Sequence, residues 1–156
     1  MKIIVLSDSH GNTENLLSAV AVTGPDMILH LGDHDSDCVV LRKSFPDIPL
    51  YAVRGNCDLF SNEEIIRDIF CEGKHIYMCH GHTYNVKTGL SSLIRGGRDN
   101  RADIVLFGHT HRPFYDIVDG MHIINPGTIG YAGRTYGILN IRNGNISYEE
   151  KSLLGE

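Results

Sequence analysis

The sequence of 156 residues is 42% hydrophobic and 21% charged, the balance of a soluble globular domain that buries its own core. Its net charge of −5, without any Lys/Arg cluster, argues against a nucleic-acid-binding or membrane-binding surface. Neither a signal peptide nor a membrane span is predicted, because the first apolar run ends at Asp8, and four cysteines without C-x-x-C spacing favour a reduced, cytoplasmic compartment.

The first part of the chain alternates strand and helix patterns. Short β-rich apolar runs predict strands at 2–7, 27–31, 50–54, 75–79 and 103–107. Helices are predicted from Asn12 or Thr13 to about Val22, near 38–45, and with a weaker pattern at roughly 86–99. The segment 62–71 fits a helical turn or a strand equally well.

The C-terminal part changes character. Strands are predicted at 114–118, 121–124, 136–142 and 145–149, with hairpin turns at Asp119-Gly120 and Asn143-Gly144. The fold class is therefore α/β, with βα units followed by a C-terminal β meander. Because the chain has no linker or repeat, we expect a single domain over residues 1–156.

Five of the apolar runs lead into residues that can bind a metal ion. The residues are Asp8 and His10, Asp33, Asn56, His80, and His109 and His111. One such residue after a strand is ordinary turn chemistry. In open α/β sheets, however, binding sites form where the carboxyl ends of the strands meet. Seven candidate metal-binding residues after five successive strands therefore predict a two-metal site.

The donor atoms restrict which ions fit. Carboxylate oxygen mixed with imidazole nitrogen suits Mn²⁺, Fe, Zn²⁺, Ni²⁺ or Co²⁺ better than Ca²⁺. Two such ions roughly 3.5–4 Å apart can hold a phosphoryl group and activate a water molecule. Asp33 follows Gly32, which allows close backbone approach, and its two oxygens can bridge both ions.

These motifs resemble, in order, those of the calcineurin-like metallophosphoesterases. The resemblance is carried by Asp8-Ser9-His10, Gly32-Asp33, Gly55-Asn56-Cys57-Asp58, His80-Gly81-His82 and Gly108-His109-Thr110-His111. The short chain, Cys57 and Asn125-Pro126-Gly127-Thr128 are most similar to the YfcE-type small phosphodiesterase branch.

The resemblance implies a four-layer α/β/β/α sandwich and hydrolysis of phosphodiesters by a hydroxide held between two divalent ions, with manganese favoured. It assigns Asp8, His10 and His111 to one ion, assigns Asn56, His80 and His109 to the other, and makes Asp33 the bridge. The expected partner is a small phosphoester substrate, and a homo-oligomer is possible.

The candidate catalytic residues are Asn56, Cys57 and His82. Many relatives have a histidine at the position of Cys57, thought to protonate the leaving oxygen or to steady the phosphate. Cys57 is thus a substitute acid, a bystander or a sign of weaker activity. His82 fits a phosphate-facing residue and a surface residue equally. Asp58 fits either the orientation of a ligand or the cap of a helix.

Two alternatives to a phosphodiesterase remain. One is a phosphomonoesterase that acts on a small metabolite. The other is a non-catalytic protein-binding scaffold like the retromer subunit Vps29, which has the same family fold. Loss of metal ligands would favour a scaffold, and the sequence retains the full set.

Overall fold

The computed structural model describes residues 1–154 and contains two five-stranded sheets. The first sheet consists of β1 (Lys2–Leu6), β2 (Met27–His30), β3 (Leu50–Ala52), β9 (Thr135–Arg142) and β10 (Asn145–Ser152). The second consists of β4 (Ile66–Cys71), β5 (Lys74–Cys79), β6 (Ile104–Leu106), β7 (Phe114–Val118) and β8 (Met121–Asn125). Three α-helices accompany them: α1 (Thr13–Thr23), α2 (Cys38–Ser44) and α3 (Ser91–Asp99).

The strand order gives each sheet three parallel strands. The first sheet has the order β10-β9-β1-β2-β3, in which β1, β2 and β3 are parallel. The second has the order β4-β5-β6-β8-β7, in which β5, β6 and β8 are parallel and both edge strands are antiparallel. Each sheet therefore brings three strands to the same end, and this arrangement positions the candidate site.

Three apolar clusters correspond to the three contacts between four layers. The central cluster lies between the two sheets and includes Leu29, Met78 and Leu106. A second cluster, with Leu16 and Leu41, joins α1 and α2 to the first sheet. The third covers the opposite face of the second sheet, where α3 packs. The layers are thus helix, sheet, sheet and helix, because each sheet buries both of its faces.

Helix α1 has clear signals at both ends. The side chain of Asn12 accepts a hydrogen bond from the Asn15 N–H, which satisfies one of the free amides of the first turn. Gly24 adopts a left-handed conformation (φ 58°) and donates its N–H to the Val20 carbonyl, which ends the helix. The loop before Asn12 carries Asp8 and His10, so the cap also sets the position of two candidate ligands.

The predicted α/β class and the four-layer sandwich are confirmed. The C-terminal strands are also present, and they form two hairpins, one in each sheet. The ambiguous segment 62–71 contains strand β4. Helix α3 begins at Ser91, later than predicted, because Asn85 (φ 51°) and Gly89 (φ 157°) do not have helical backbone angles.

Two further observations concern the chain as a whole. The predicted domain, residues 1–156, includes residues 155 and 156, which lie outside the described residues. Within residues 1–154, none of the helices combines the length and the apolar character that a membrane crossing requires.

Candidate metal centre

The ends of six strands meet at one edge of the sandwich. Asp8, Asp33 and Asn56 follow β1, β2 and β3 of the first sheet, whereas His80 and His109 follow β5 and β6 of the second. The sixth strand, β8, ends at the buried Asn125. The candidate ligands therefore come from both sheets.

Two groups of side chains bring potential ligand atoms together. In the first, one ligand atom each of Asp8, His10, Asp33 and His111 lies within 4.8 Å of the others. In the second, atoms of Asp33, His80 and His109 meet the same limit. Asp33 belongs to both groups, which is the position that a bridging carboxylate requires.

His80 has its free ring nitrogen directed into the second group. Its Nδ1 lies 2.8 Å from the Leu31 carbonyl oxygen and therefore carries the hydrogen that it donates. The Nε2 atom lies 3.4 Å from Asp33 Oδ2 and 3.2 Å from His109 Nδ1. A ring held by its second nitrogen in this way is typical of a metal-binding histidine.

Asp8 contributes an unpaired oxygen to the first group. Its Oδ2 accepts hydrogen bonds from Ser7 Oγ (2.5 Å) and the His109 N–H (3.2 Å). Its buried Oδ1 has no hydrogen-bond partner among residues 1–154 and lies 3.2 Å from His111 Nε2. Buried carboxylate oxygens are normally paired or bound to a metal. These residues therefore fit divalent cations, which would satisfy the converging oxygen and nitrogen atoms.

The pKa shifts show how strongly the groups interact. Burial alone would lower the pKa of His80, but the carboxylates of Asp33 and Asp8 outweigh burial and raise it. Burial would raise the pKa of Asp33, yet His80 and the Cys57 N–H lower it overall. Burial and the charges of His80 and Lys87 lower the pKa of His109 to about 4. The site thus favours an ionised Asp33 and a positive charge at His80.

The backbone at the site has an unusual conformation. Five of the seven candidate ligands have positive φ: Asp8 (56°), His10 (44°), Asp33 (59°), His109 (71°) and His111 (63°). A left-handed conformation costs a residue other than glycine about 1–2 kcal/mol. Such conformations persist only where the surrounding structure fixes them, and they concentrate at functional sites.

Two glycines of the motifs are required by close approach. A Cβ atom added to Gly108 would lie 2.1 Å from Ser7 Oγ and 2.8 Å from Asp8 Oδ2. A Cβ atom added to Gly55 would lie 2.2 Å from Asp33 Oδ1. The glycines therefore let the strand-end loops touch the candidate carboxylates directly.

Asp58 fixes two of the loops through their backbone. Its carboxylate accepts hydrogen bonds from the N–H groups of Asp33 (2.9 Å), His34 (2.7 Å), Asp35 (3.2 Å) and Gly55 (2.8 Å). Of the two roles predicted for Asp58, orientation of a ligand fits these contacts. Asp58 holds the loop that presents Asp33 against the loop that presents Asn56.

A second buried network holds the loop of Asp8 and His10. The Gly32 N–H donates to His30 Nδ1, so His30 Nε2 carries the proton and donates to Ser9 Oγ (3.0 Å). Ser9 Oγ then donates to Asp37 Oδ2 (2.8 Å), which also accepts the Gly11 N–H. His30 is thus a hydrogen-bonded core residue. No spacing in the sequence indicated Asp37.

The turn after β8 supports two further loops. Asn125 Nδ2 donates to the Gly108 carbonyl (3.2 Å) and to Thr110 Oγ1 (3.0 Å). Thr128 Oγ1 donates to the Asp8 carbonyl (2.8 Å). The side chains of Asn125 and Thr128 therefore hold the backbone next to candidate ligands.

The candidate catalytic residues surround the ligand groups. Asn56 and Cys57 are exposed, and Asn56 Nδ2 donates to Cys57 Sγ (3.7 Å), which leaves the Asn56 amide oxygen available. His82 is half-buried, with its ring centroid 6.2 Å from that of His109, and its Nδ1 has no hydrogen-bond partner within the described structure. His34 is exposed beside His10, at 5.5 Å between ring centroids.

The sequence matches a known family model. The model of the calcineurin-like phosphoesterase superfamily domain matches residues 1–144. A probable metallophosphoesterase from Mycoplasma pneumoniae is 30% identical over 154 residues, covering 94% of this chain and 93% of the relative. The phosphodiesterase YfcE from Escherichia coli K12 is 26% identical over 168 residues, covering 90% and 88%.

Solved structures share the same fold. A predicted phosphoesterase from Streptococcus pneumoniae superposes with a TM-score of 0.82 at 23% identity and covers 99% of this chain and 91% of its own. Vps29 from Entamoeba histolytica in complex with zinc has a TM-score of 0.77 at 20% identity, with 97% and 98% covered. Both similarities concern the fold.

Replacing Asp58 tests its role in holding the loops. We expect Asp58→Ala to lower the free energy of unfolding by about 2–4 kcal/mol, because four backbone N–H groups lose their acceptor. We also expect Mn²⁺ affinity, measured by isothermal titration calorimetry, to fall about 10–100-fold. Asp47→Ala, at an exposed position, is the control for urea unfolding. Unchanged Mn²⁺ affinity in Asp58→Ala would contradict this role.

The buried His30 predicts a pH dependence of stability. Burial lowers its pKa from 6.5 to about 4, so below pH 6.5 the unfolded chain binds a proton that the folded chain excludes. The contribution of neutral His30 to the free energy of unfolding is complete above pH 6.5 and is lost as the pH falls towards 4. Between pH 7.5 and 5, metal-free wild type should lose about 2 kcal/mol more than His30→Gln in urea unfolding. The exposed His34→Gln should follow wild type, and equal losses in wild type and His30→Gln would disprove the prediction.

Proposed function

The chain belongs to the calcineurin-like phosphoesterase superfamily, and we propose that it is a metal-dependent phosphodiesterase with a dinuclear site. The observation that carries the proposal is the pair of ligand groups that share Asp33. A shared carboxylate between two groups of oxygen and nitrogen donors suits two adjacent cations. The names of relatives, among them the phosphodiesterase YfcE, support the reaction class.

The proposed ligand sets extend the two groups by Asn56, which the resemblance assigns to the second cation. Asp8, His10 and His111 would hold one divalent cation, and Asn56, His80 and His109 the other, with Asp33 in contact with both. When bound, two such cations neutralise charge on a phosphoryl group and lower the pKa of a water molecule. Manganese is the ion that we propose first, because the mixed oxygen and imidazole donors accept it.

The chain itself contributes groups at the rim of the site. Partial burial and the Asp33 carboxylate raise the pKa of the Cys57 thiol, so the thiol keeps its proton at neutral pH. A neutral thiol can give its proton to an oxygen that leaves from phosphorus. Burial and the charge of His80 lower the pKa of His82, so His82 is a neutral imidazole that can hydrogen-bond a phosphate oxygen. We propose these two roles for Cys57 and His82.

The substrate that we propose is a small phosphoester. The ligand groups lie at the surface, where His10, Asn56 and His111 are exposed. We further propose that residues 1–156 form one metallophosphoesterase domain. A cytoplasmic location is also proposed, and the free thiols of Cys38, Cys57, Cys71 and Cys79 support it.

Removal and return of metal tests the proposal. Metal-stripped protein should not hydrolyse bis-p-nitrophenyl phosphate or p-nitrophenyl phosphate, and Mn²⁺, Ni²⁺, Co²⁺ or Zn²⁺ should restore turnover, faster on the diester. Asp33→Asn should reduce kcat by about 10³-fold or more, because the carboxylate shared by both groups loses its charge. Asp47→Asn is the matched control at an exposed site.

Other outcomes would select an alternative. Faster turnover of the monoester would indicate a phosphomonoesterase. Binding of two ions without turnover of either ester would favour a scaffold of the Vps29 kind. Activity that survives EDTA, or full activity of Asp33→Asn, would contradict the dinuclear mechanism.

The role of Cys57 depends on the leaving group. If its thiol protonates the leaving oxygen, Cys57→Ala should reduce kcat about 10²-fold on methyl phenyl phosphate, whose phenolate is basic. The same variant should have little effect on methyl p-nitrophenyl phosphate, because p-nitrophenolate leaves readily as an anion. Cys71→Ala, at a half-buried thiol of strand β4, is the control. Equal losses on both esters would contradict protonation of the leaving oxygen by Cys57, and no loss on either would make Cys57 a bystander.

A further inference from the structure

A cleft of about 540 Å³ opens beside the second ligand group. Its lining includes Val86, Leu90, Phe107 and Phe114 as apolar walls. The volume lies within the range of small-molecule binding sites, roughly 300–1,000 Å³. None of these four residues belongs to the candidate metal ligands, so the cleft is an addition to the site described above.

Three contacts join the cleft to the metal centre. Thr110, which lines the cleft, lies between His109 and His111 in the chain. Val86 and Phe107 both pack against Gly81, where an added Cβ would lie 2.9 Å from Val86 Cγ2 and 3.6 Å from Phe107 Cβ. Since Gly81 directly follows His80, the walls of the cleft touch the loops that present both histidines of the second group.

The cleft combines aromatic and cationic side chains. The rings of Phe107 and Phe114 lie 6.3 Å apart between centroids, and Phe114 is 39% exposed, so its ring remains open to a ligand. Lys87 and Arg112 also line the cleft, and within residues 1–154 neither side chain forms a salt bridge. Both cations lie beside the apolar walls of the cleft. An anionic ligand with a flat apolar group matches both features.

We propose that this cleft binds the nucleoside arm of a nucleotide-like phosphodiester while the phosphate lies at the metal centre. The proposal rests on the proposed function and names its substrate class. The base stacks on Phe114, since aromatic side chains bind the faces of bases without regard to sequence. Lys87 and Arg112 attract the negative charge of the same substrate.

Two esters with the same leaving group test the cleft. Thymidine 5′-(p-nitrophenyl phosphate) carries a nucleoside arm, whereas methyl p-nitrophenyl phosphate does not. We expect Mn²⁺-loaded wild type to prefer the thymidine ester by at least tenfold in kcat/KM. Phe114→Ala should reduce this preference by about tenfold, because the base loses its stacking partner. The ratio of kcat/KM between the two esters does not depend on the fraction of protein that is active.

The chain offers a matched control. Phe70 lies on β4, the opposite edge strand of the same sheet, and is 74% exposed. Phe70→Ala should keep the wild-type preference. Lys87→Gln should raise the KM of the thymidine ester and weaken its dependence on salt, whereas the exposed Lys43→Gln should change neither. Equal kcat/KM for the two esters in wild type, or an unchanged preference in Phe114→Ala, would overturn the proposal.

A binding measurement separates this proposal from the proposed function. Thymidine 5′-monophosphate, added to Mg²⁺-loaded protein, should shift the amide NMR signals of Thr110 and Phe114, and inorganic phosphate should not shift that of Phe114. If neither ester is hydrolysed but these shifts occur, the proposal of a nucleoside-binding cleft is supported and the proposed phosphodiesterase activity is rejected. If both esters are hydrolysed without these shifts, the phosphodiesterase stands and the nucleoside cleft is overturned.

Discussion

The contact between the loop after β1 and the loop after β6 determines the rest of the site. Gly108 lies against Ser7 and Asp8 with no space for a side chain, and the His109 N–H donates to Asp8 Oδ2 (3.2 Å). This contact joins the two sheets at the end where their parallel strands finish. Because it fixes the separation of the loops, histidines from the second sheet reach carboxylates from the first.

The site is stabilised mainly by residues outside the candidate ligand set. Positive φ angles at five ligands cost conformational energy, and hydrogen bonds to neighbouring backbone offset that cost. Asp58 and Asp37 accept backbone and hydroxyl hydrogens from the loops of the first sheet, and Asn125 and Thr128 donate to loops of both sheets. The backbone of these loops therefore has its hydrogen bonds, while the candidate ligand atoms keep lone pairs without a partner. A preorganised cation site requires this combination.

The sequence indicated the candidate ligands more clearly than the residues that support them. Asp8, Asp33, His80 and His109 could be identified because each follows a buried apolar run, a pattern that is local in the chain. Asp37 was given no function, and the two roles of Asp58 could not be distinguished, because both residues bind backbone groups of loops more than 20 residues away, and no spacing rule describes such contacts. The cleft could not be predicted from the sequence either, because it forms only where the loop of Val86 meets strand β7.

Charge explains how such a site attracts a phosphate. The protein carries 19 acidic and 14 basic residues, so its overall field repels an anion, and attraction must be local. The raised pKa of His80 shows that Asp8 and Asp33 already favour positive charge between them. Divalent cations held here, as proposed, would supply more positive charge than a proton can, and Lys87 and Arg112 would extend it into the cleft. Under the proposed function, the apolar, cationic cleft adjoins the bound phosphate, so substrate choice would depend on the cleft as well as on the metals.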